Sequence, residues 1–195
     1  DNDTYDSRNG CNAIIETKSN TLFLGCVATQ IPADVTKIGD YAFSGCYALQ
    51  TIDIPYGVMV IGYNAFSNCG IESIIIPESV TNIGEYAFNG CNSLSSIALP
   101  ESVETIGGYA FAWCYNLSSV SLPEGLTTIM YGAFYDCDRL KSIILPETVT
   151  TIGDNAFSWC DSLTTITIPR NVEYMGGYAF DGCEALDTIY CYAPE

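Results

Sequence analysis

Residues 76–98 read IPESVTNIGEYAFNGCNSLSSIA, and this block decides the fold because it recurs along the chain. Each copy has an aliphatic residue before proline, an Ala-Phe pair in the middle, and a cysteine three residues after the phenylalanine. The seven copies, spaced by 22 or 23 residues, begin at Ile31, Ile54, Ile76, Leu99, Leu122, Leu145 and Ile168. A fixed period of this length is typical of a solenoid, in which each repeat packs mainly on its neighbours.

Each repeat contains the residues of short strands joined by turns. In the quoted copy, Pro77 ends one extended segment, because proline has no backbone donor for a ladder. Ile83 lies on the inward side of a second short segment, and Gly84 permits a sharp turn after it. The following Ala-Phe pair and cysteine predict a tight helical turn, before residues 96–99 form the next strand.

Stacking the coils places equivalent residues in ladders along the solenoid axis. We expect neighbouring strands to lie about 4.7–4.9 Å apart, as in any hydrogen-bonded sheet. The alanine before each phenylalanine leaves room for the ring inside the turn. The predicted ladder of rings consists of Phe43, Phe66, Phe88, Phe111, Phe134, Phe157 and Phe180.

Seven of the ten cysteines form a second ladder, since their spacing equals the repeat period. No C-x-x-C pair is present, so a metal site is not indicated, and buried free cysteine packs as a small hydrophobic residue. The column consists of Cys46, Cys69, Cys91, Cys114, Cys137, Cys160 and Cys183. Outside it, Cys11 and Cys26 flank a predicted hairpin, where they either form a disulfide or remain reduced; Cys191 stands alone.

Composition excludes several classes of function. The net charge of -17 opposes binding to nucleic acid or to anionic lipid surfaces. The chain has no histidine, which removes the commonest general base and the commonest metal ligand. Its apolar runs are too short to span a membrane. No cofactor is indicated by any motif.

The two ends of the array differ from the repeats. Residues 14–17 and 21–24 read as strand, turn, strand, and a hairpin there would cover the apolar end of the solenoid, as a terminal cap must. We therefore expect a cap over residues 1–30, the repeat array over 31–190, and over 191–195 the start of a further coil or a C-terminal cap, with continuation of the natural chain expected.

Two repeats depart from the pattern. The second repeat is one residue short, and Gly70 is expected to tighten its turn. In the fifth repeat Met130 replaces the usual glycine and Gly132 follows two positions later, so altered turn geometry is expected there.

Several phrases resemble the BspA-like leucine-rich repeat family, namely residues 80–88, 91–97 and 151–157, and the match extends over 31–190. The leader and the ending also look like segments that flank such arrays in gut Bacteroidetes. The resemblance implies a right-handed leucine-rich-repeat solenoid, secreted or attached to the cell surface. Some members are adhesins for host matrix proteins or other bacteria. The family supplies no catalytic motif to carry over.

One edge of the solenoid is predicted to carry exposed aromatic and acidic side chains. Exposed Trp and Tyr are favoured at recognition surfaces, and they also stack on sugars beside acidic acceptors. The alternative is that these aromatics pack against neighbouring coils. This aromatic-acidic edge consists of Trp113, Tyr115, Tyr135, Asp136, Asp138, Trp159 and Asp161.

Other columns give weaker signals. The tyrosines before Ala-Phe (Tyr41, Tyr86, Tyr109 and Tyr178) recur regularly, which favours structural packing. Hydroxyl residues along the strand face either satisfy a crowded ladder or offer a docking surface. A column of glutamates follows the prolines, where it is either a solvated row or a weak candidate for calcium. The glutamates are Glu78, Glu101, Glu124 and Glu147.

The leading hypothesis is a noncatalytic, adhesin-like interaction module of a secreted or cell-surface bacterial protein. Its expected partner is a host or bacterial surface protein. Glycan binding by the same edge and a spacer that carries another domain are the alternatives. An enzyme would use Asp136, Asp138 and Asp161 as paired carboxylates, as glycosidases do, yet no nucleophile and base are visible.

Overall fold

The computed structural model of the chain describes residues 2–191, which form a solenoid of about seven turns. Fourteen short strands and one 3-10 turn, at Arg8–Gly10, are assigned within these residues. The strands are β1 (Tyr5–Asp6), β2 (Ile14–Glu16), β3 (Thr21–Leu24), β4 (Lys37–Ile38), β5 (Val60–Ile61), β6 (Asn82–Ile83), β7 (Ser96–Ala98), β8 (Thr105–Ile106), β9 (Ser119–Ser121), β10 (Thr128–Ile129), β11 (Thr151–Ile152), β12 (Thr165–Ile168), β13 (Tyr174–Met175) and β14 (Thr188–Cys191).

The main sheet runs the length of the molecule in the order β1-β2-β3-β4-β5-β6-β8-β10-β11-β13. From β3 onwards its strands are parallel, and each pairs with the equivalent residues one repeat later, as Ile38 does with Ile61. The inward isoleucine of β4–β6, β8, β10 and β11 is at most 2% exposed. The predicted parallel solenoid is therefore confirmed.

The second predicted column of strands is only partly hydrogen-bonded. Within the described chain, β7 pairs with β9 and β12 with β14, both in parallel, and one bridge joins Ser142 to Thr165. In the other described repeats, the equivalent residues are not assigned to paired strands. Their inward side chains, such as Ile52, Ile74 and Ile143, remain 6–9% exposed, so burial holds this column where hydrogen bonds do not.

The phenylalanine ladder forms the centre of the core. Consecutive rings from Phe43 to Phe180 are stacked, with centroids 5.1–5.5 Å apart and planes within 10° of parallel. The alanine before each ring is also buried. Each coil therefore adds one ring and one small neighbour to a continuous apolar stack.

The predicted helical turns are wrong. Two residues of each turn, four apart, have positive φ, such as Tyr86 at 57° and Gly90 at 67°, which an α-helix does not allow. Alternate amides instead point to the next coil: the N–H groups of Tyr86, Phe88 and Gly90 donate to carbonyls one repeat later at 2.8–2.9 Å. The turn therefore adds a further line of hydrogen bonds between coils, which the sequence pattern of spaced apolar residues did not reveal.

The cysteine column contributes more than packing. From the second repeat onwards each Sγ donates to the phenylalanine carbonyl of the preceding repeat, at 3.0–3.2 Å. Burial raises the pKa of the Cys114 thiol to about 12. Near the N-terminus, Cys11 is buried and Cys26 is exposed; they are unlinked, and their thiols hydrogen-bond to the carbonyls of Ala13 and Asn12 respectively.

The N-terminal hairpin is present as β2 and β3, which pair antiparallel, and β1 adds a further antiparallel strand that the sequence analysis missed. Arg8 forms an ion pair with Asp6 inside the cap at 2.8 Å, and it links the cap to the array through an ion pair with Asp34 at 2.5 Å. The boundaries 1–30, 31–190 and 191–195 stay predictions, and residues 192–195 lie outside the described residues. Across residues 2–191, no helix has the length and apolar character needed to cross a membrane.

Candidate functional site

The aromatic half of the predicted edge assembles across the fourth and fifth repeats. Trp113 and Tyr135 meet edge to face, with ring centroids 5.4 Å apart and planes at 63°. The backbone N–H of Trp113 also donates to the backbone carbonyl of Tyr135 at 2.8 Å, which fixes the register of the two coils. Tyr109 lies parallel to Trp113 at 6.0 Å, so the indole is held on two sides and remains only partly exposed.

The acidic half of the edge is crowded. Burial, a hydrogen bond with Asp138, and the charges of Asp138 and Asp161 raise the pKa of Asp136 to about 6. Burial and the charges of Asp138 and Glu184 raise the pKa of Asp161. Glu184 therefore belongs to the cluster although the sequence analysis missed it; its place one residue after Cys183, like Asp138 after Cys137, was the available signal.

Tyr115 joins the two halves. Its side chain is 39% exposed, and burial followed by the charges of Asp136 and Asp138 raises the pKa of its hydroxyl. An aromatic face and two carboxylates thus lie within one surface patch.

Trp159 lies apart from the other aromatics. Its indole covers Gly182, where a β-carbon would come within 2.7 Å of the ring. Over residues 2–191, no ring contact joins Trp159 to Trp113 or Tyr135. With 46% of its surface exposed, it forms a separate flat platform one repeat beyond the cluster.

Three edge residues adopt a backbone conformation that suits glycine or asparagine. The φ angles are 57° at Trp113, 58° at Asp136 and 61° at Trp159. At the equivalent positions other repeats have Gly45, Asn68, Gly90 and Gly182. Asp tolerates this region, whereas a bulky residue there costs about 1–2 kcal/mol, so Trp113 and Trp159 are held at an energetic disadvantage.

A tyrosine ladder continues the edge toward the N-terminus. Neighbouring rings are 5.1–5.7 Å apart, so the packing predicted for Tyr41, Tyr86 and Tyr109 is seen as ring-to-ring contact. The same prediction is wrong for Tyr178, which is 74% exposed. Tyr63 and Tyr131 were missed because they stand one position earlier in their repeats. The tyrosine ladder consists of Tyr41, Tyr63, Tyr86, Tyr109 and Tyr131.

Glycines make room for this ladder. A β-carbon at Gly132 would lie 2.2 Å from the ring of Tyr109, and one at Gly108 would lie 2.5 Å from that of Tyr131. Gly132 has φ 58°, close to the 51° of Tyr109 one repeat earlier, and Ala133 bonds back to Met130 as Ala110 does to Gly107. The expectation of altered turn geometry in the fifth repeat is therefore wrong; the backbone course is kept although Met130 replaces a glycine and the next two positions exchange glycine and tyrosine.

The glutamate column has a structural role. The carboxylate of Glu78 accepts from the backbone N–H of Glu101 at 3.0 Å, and that of Glu101 accepts from Glu124 at 3.1 Å. These two carboxylates thus each satisfy a backbone donor of the next turn, and Glu147 forms an ion pair with Arg170 at 3.6 Å. Among the residues that the structure describes, no group of three or more acidic, cysteine or histidine residues is placed to hold a metal ion.

The strand face is mostly small and polar, apart from Ile75, Ile144 and Tyr190, the last of which is 55% exposed. Ile75 and Ile144 are 84% and 86% exposed, and each borders a shallow groove of about 370 Å³ in the part of the column that lacks ladder bonds. This face is the second surface on which a partner can be considered.

Comparison with known proteins agrees with the geometry. The family model described as "BspA type Leucine rich repeat region" matches in six copies, over residues 17–123 and 104–193. The fold is similar to that of a leucine-rich repeat protein of T. pallidum, with 30% identity over 94% of this chain and 87% of that one, and a TM-score of 0.77.

Two further solved structures are longer than this chain. A leucine-rich repeat protein from Eubacterium ventriosum is 29% identical over 84% of this chain, with a TM-score of 0.63. A leucine-rich cell surface protein from Faecalibacterium prausnitzii is 26% identical over 85%, with a TM-score of 0.53. The matches span 51% and 59% of those two chains. No curated protein matches the sequence significantly.

Proposed function

Because the chain belongs to the BspA-type leucine-rich repeat family, we propose that it is a noncatalytic protein-interaction module of a secreted or cell-surface bacterial protein. Its partner is a host or bacterial surface protein, and its role is adhesin-like. A similar protein from Faecalibacterium prausnitzii is described as a cell surface protein, which supports an extracellular or cell-surface location.

The observation that carries the proposal is the joined aromatic and acidic patch around Trp113. Trp113 and Tyr135 are held by ring contacts and by a backbone bond between coils, and Tyr115 lies beside Asp136 and Asp138. Such a surface is already ordered, so binding loses little conformational entropy. Large aromatics at positions that favour glycine also indicate a role beyond stability.

A catalytic role for the carboxylates is not favoured. The raised pKa of Asp136 follows from burial and from the crowding of Asp138 and Asp161, and the cluster lies on an edge beside half-exposed side chains. A glycosidase needs two carboxylates that flank the scissile glycosidic bond, about 5–9.5 Å apart. The family offers no catalytic motif.

The proposal is tested by screening the protein against extracellular-matrix proteins and bacterial surface extracts, with Trp113→Asn in parallel. Asparagine occupies the equivalent position at Asn68, so this variant keeps the required backbone conformation. Tyr56→Ala removes an exposed ring away from the edge and serves as the control. We expect at least tenfold weaker binding for Trp113→Asn and none of this loss for the control; equal binding by both variants would contradict the proposal.

Glycan binding is the second candidate, and the position of Trp159 favours it. Its indole lies flat on Gly182 with nearly half of its surface exposed, which is the geometry that a sugar ring stacks on. A glycan array with Trp159→Gly as the comparison separates this function from protein binding. If the folded protein bound nothing in either the protein screen or the glycan array, the spacer alternative would be favoured.

A further inference from the structure

The tyrosine ladder and the aromatic-acidic edge form one continuous aromatic surface. Tyr109 contacts Tyr131 at 5.4 Å and also Trp113 and Tyr135, at 6.0 and 6.3 Å. The first ring of the series, Tyr41, is 55% exposed. Aromatic contact therefore extends across five coils, from the first repeat to the fifth.

Carboxylates accompany the rings along this surface. The Asp40 carboxylate accepts from the backbone N–H of Tyr63 at 3.1 Å, and burial, Tyr63 and the Asp40 charge raise the pKa of Tyr41. The Glu85 carboxylate near the Tyr131 hydroxyl, together with burial, raises the pKa of Tyr131 to about 12. Asp136 and Asp138 lie beside Tyr115 in the same way. Both ends and the middle of the series thus carry negative charge next to an aromatic face.

Few basic side chains lie close enough to neutralise the carboxylates beside the tyrosine ladder. Lys37 pairs with Asp40 at 3.6 Å near the first repeat. The charged or ionisable neighbours that shift the pKa of Tyr86, Tyr131 and Asp136 are all acidic residues or tyrosines. The whole chain has 23 acidic against six basic residues. The surface is therefore complementary to a cation, since the negative face of an aromatic ring and a carboxylate both attract one.

We propose that the segment recognised by this surface is a basic, extended polypeptide whose Lys or Arg side chains lie against the tyrosine ladder between the carboxylates of Asp40, Glu85 and Asp136. This inference rests on the proposed function and specifies the chemistry of its partner. A neutral segment gains nothing from the carboxylates, and an acidic segment is repelled by them.

The test uses a twelve-residue peptide that alternates Arg with Ser, titrated into the full chain by calorimetry. A citrulline–Ser peptide of the same length removes the charge and keeps the shape. The discriminating variant is Tyr86→Asn with Tyr109→Asn, because Asn64 and Asn155 occupy the equivalent positions with φ of 51° and 56°. Tyr56→Ala is the control.

We expect the arginine peptide to bind and the citrulline peptide not to. The double variant should bind about tenfold more weakly, because two rings contribute about 0.5–1 kcal/mol each to a cation contact. The double variant keeps every charge, so unchanged binding would show general attraction to an acidic protein and would overturn the inference. A different result would overturn the inference and leave the proposed function intact. In that case the arginine peptide would not bind, while a protein partner from the screen would bind the wild type and not Trp113→Asn.

Discussion

At the scale of single residues, the shape of each coil depends on two kinds of position. Some residues have a left-handed backbone conformation, and some must be glycine because a β-carbon would clash. In six repeats the first left-handed position of the turn is Tyr or Asn, and in the fifth it is Gly132. The sequence pattern identified the apolar ladder residues correctly, because burial repeats with the period. It could not identify the left-handed positions, because their side chains vary from Gly to Trp while the backbone stays constant.

Gly70 offers a test of this account. A β-carbon there would lie 2.0 Å from the carbonyl oxygen of Tyr47, a backbone atom that cannot move without shifting the coil. We expect Gly70→Ala to lower the free energy of unfolding by about 1–3 kcal/mol, the usual cost of overpacking, as measured by chemical denaturation. Gly125→Ala is the control, since its β-carbon would lie 3.6 Å from Glu101 and should change little. Equal stability of the two variants would refute the close approach at Gly70.

The acidic cluster predicts a pH dependence. The pKa of Asp136 is raised from 3.8 to about 6 in the folded chain, so between these values the folded state binds more protons than the unfolded state. The contribution of Asp136 to stability is therefore most favourable at low pH, and it is lost as the pH rises through about 6. We expect Asp136→Asn to raise the free energy of unfolding at pH 7.5 by about 1 kcal/mol, after allowance for solvent screening. Chemical denaturation of the variant and the wild type measures this difference.

That advantage should shrink at pH 5. Asp53→Asn, on the strand face, controls for the loss of one negative charge from the whole molecule. If Asp136→Asn gained the same stability at both pH values, the crowding of Asp136 with Asp138 and Asp161 would be excluded as its cause.

At the scale of elements, the cysteine column shows how one side chain can serve packing and hydrogen bonding together. The carbonyl of Phe88 accepts from the N–H of Cys91 in its own turn and from the Sγ of Cys114 in the next coil. The period predicted a buried, reduced column. It did not predict the thiol hydrogen bonds, because they depend on where the turn carbonyls point, which the left-handed residues decide.

Thiol labelling measures this difference in environment. Cys26 and Cys191 are exposed, whereas Cys91, Cys114, Cys137 and Cys160 are fully buried. Burial also raises the pKa of Cys114 to about 12, which keeps its thiol protonated at neutral pH. We expect Cys26 and Cys191 to react quickly with an aromatic disulfide at pH 8, and the four buried thiols to react only in denaturant. Fast labelling of Cys114 in the native protein would contradict the column.

At the scale of the whole molecule, the solenoid turns local sequence variation into a continuous surface. Each repeat adds its turn residues one coil further along the same edge, so the turns of the first five repeats form one row of aromatic and acidic side chains. The sequence predicted this edge from the repeat register alone. It did not separate Trp159 from the cluster or join the tyrosine ladder to it, because both depend on which rings lie over glycine in the adjacent coil.

The most direct test of the central claim is tyrosine iodination of the protein with and without the partner that the binding screen identifies. Tyr41 and Tyr115 belong to the proposed surface and are 55% and 39% exposed, whereas Tyr56 follows a proline at the opposite end of its repeat and is 79% exposed. We predict that the partner protects Tyr41 and Tyr115 and leaves Tyr56 reactive. Protection of Tyr56, with Tyr115 still fully reactive, would contradict binding through the aromatic-acidic edge.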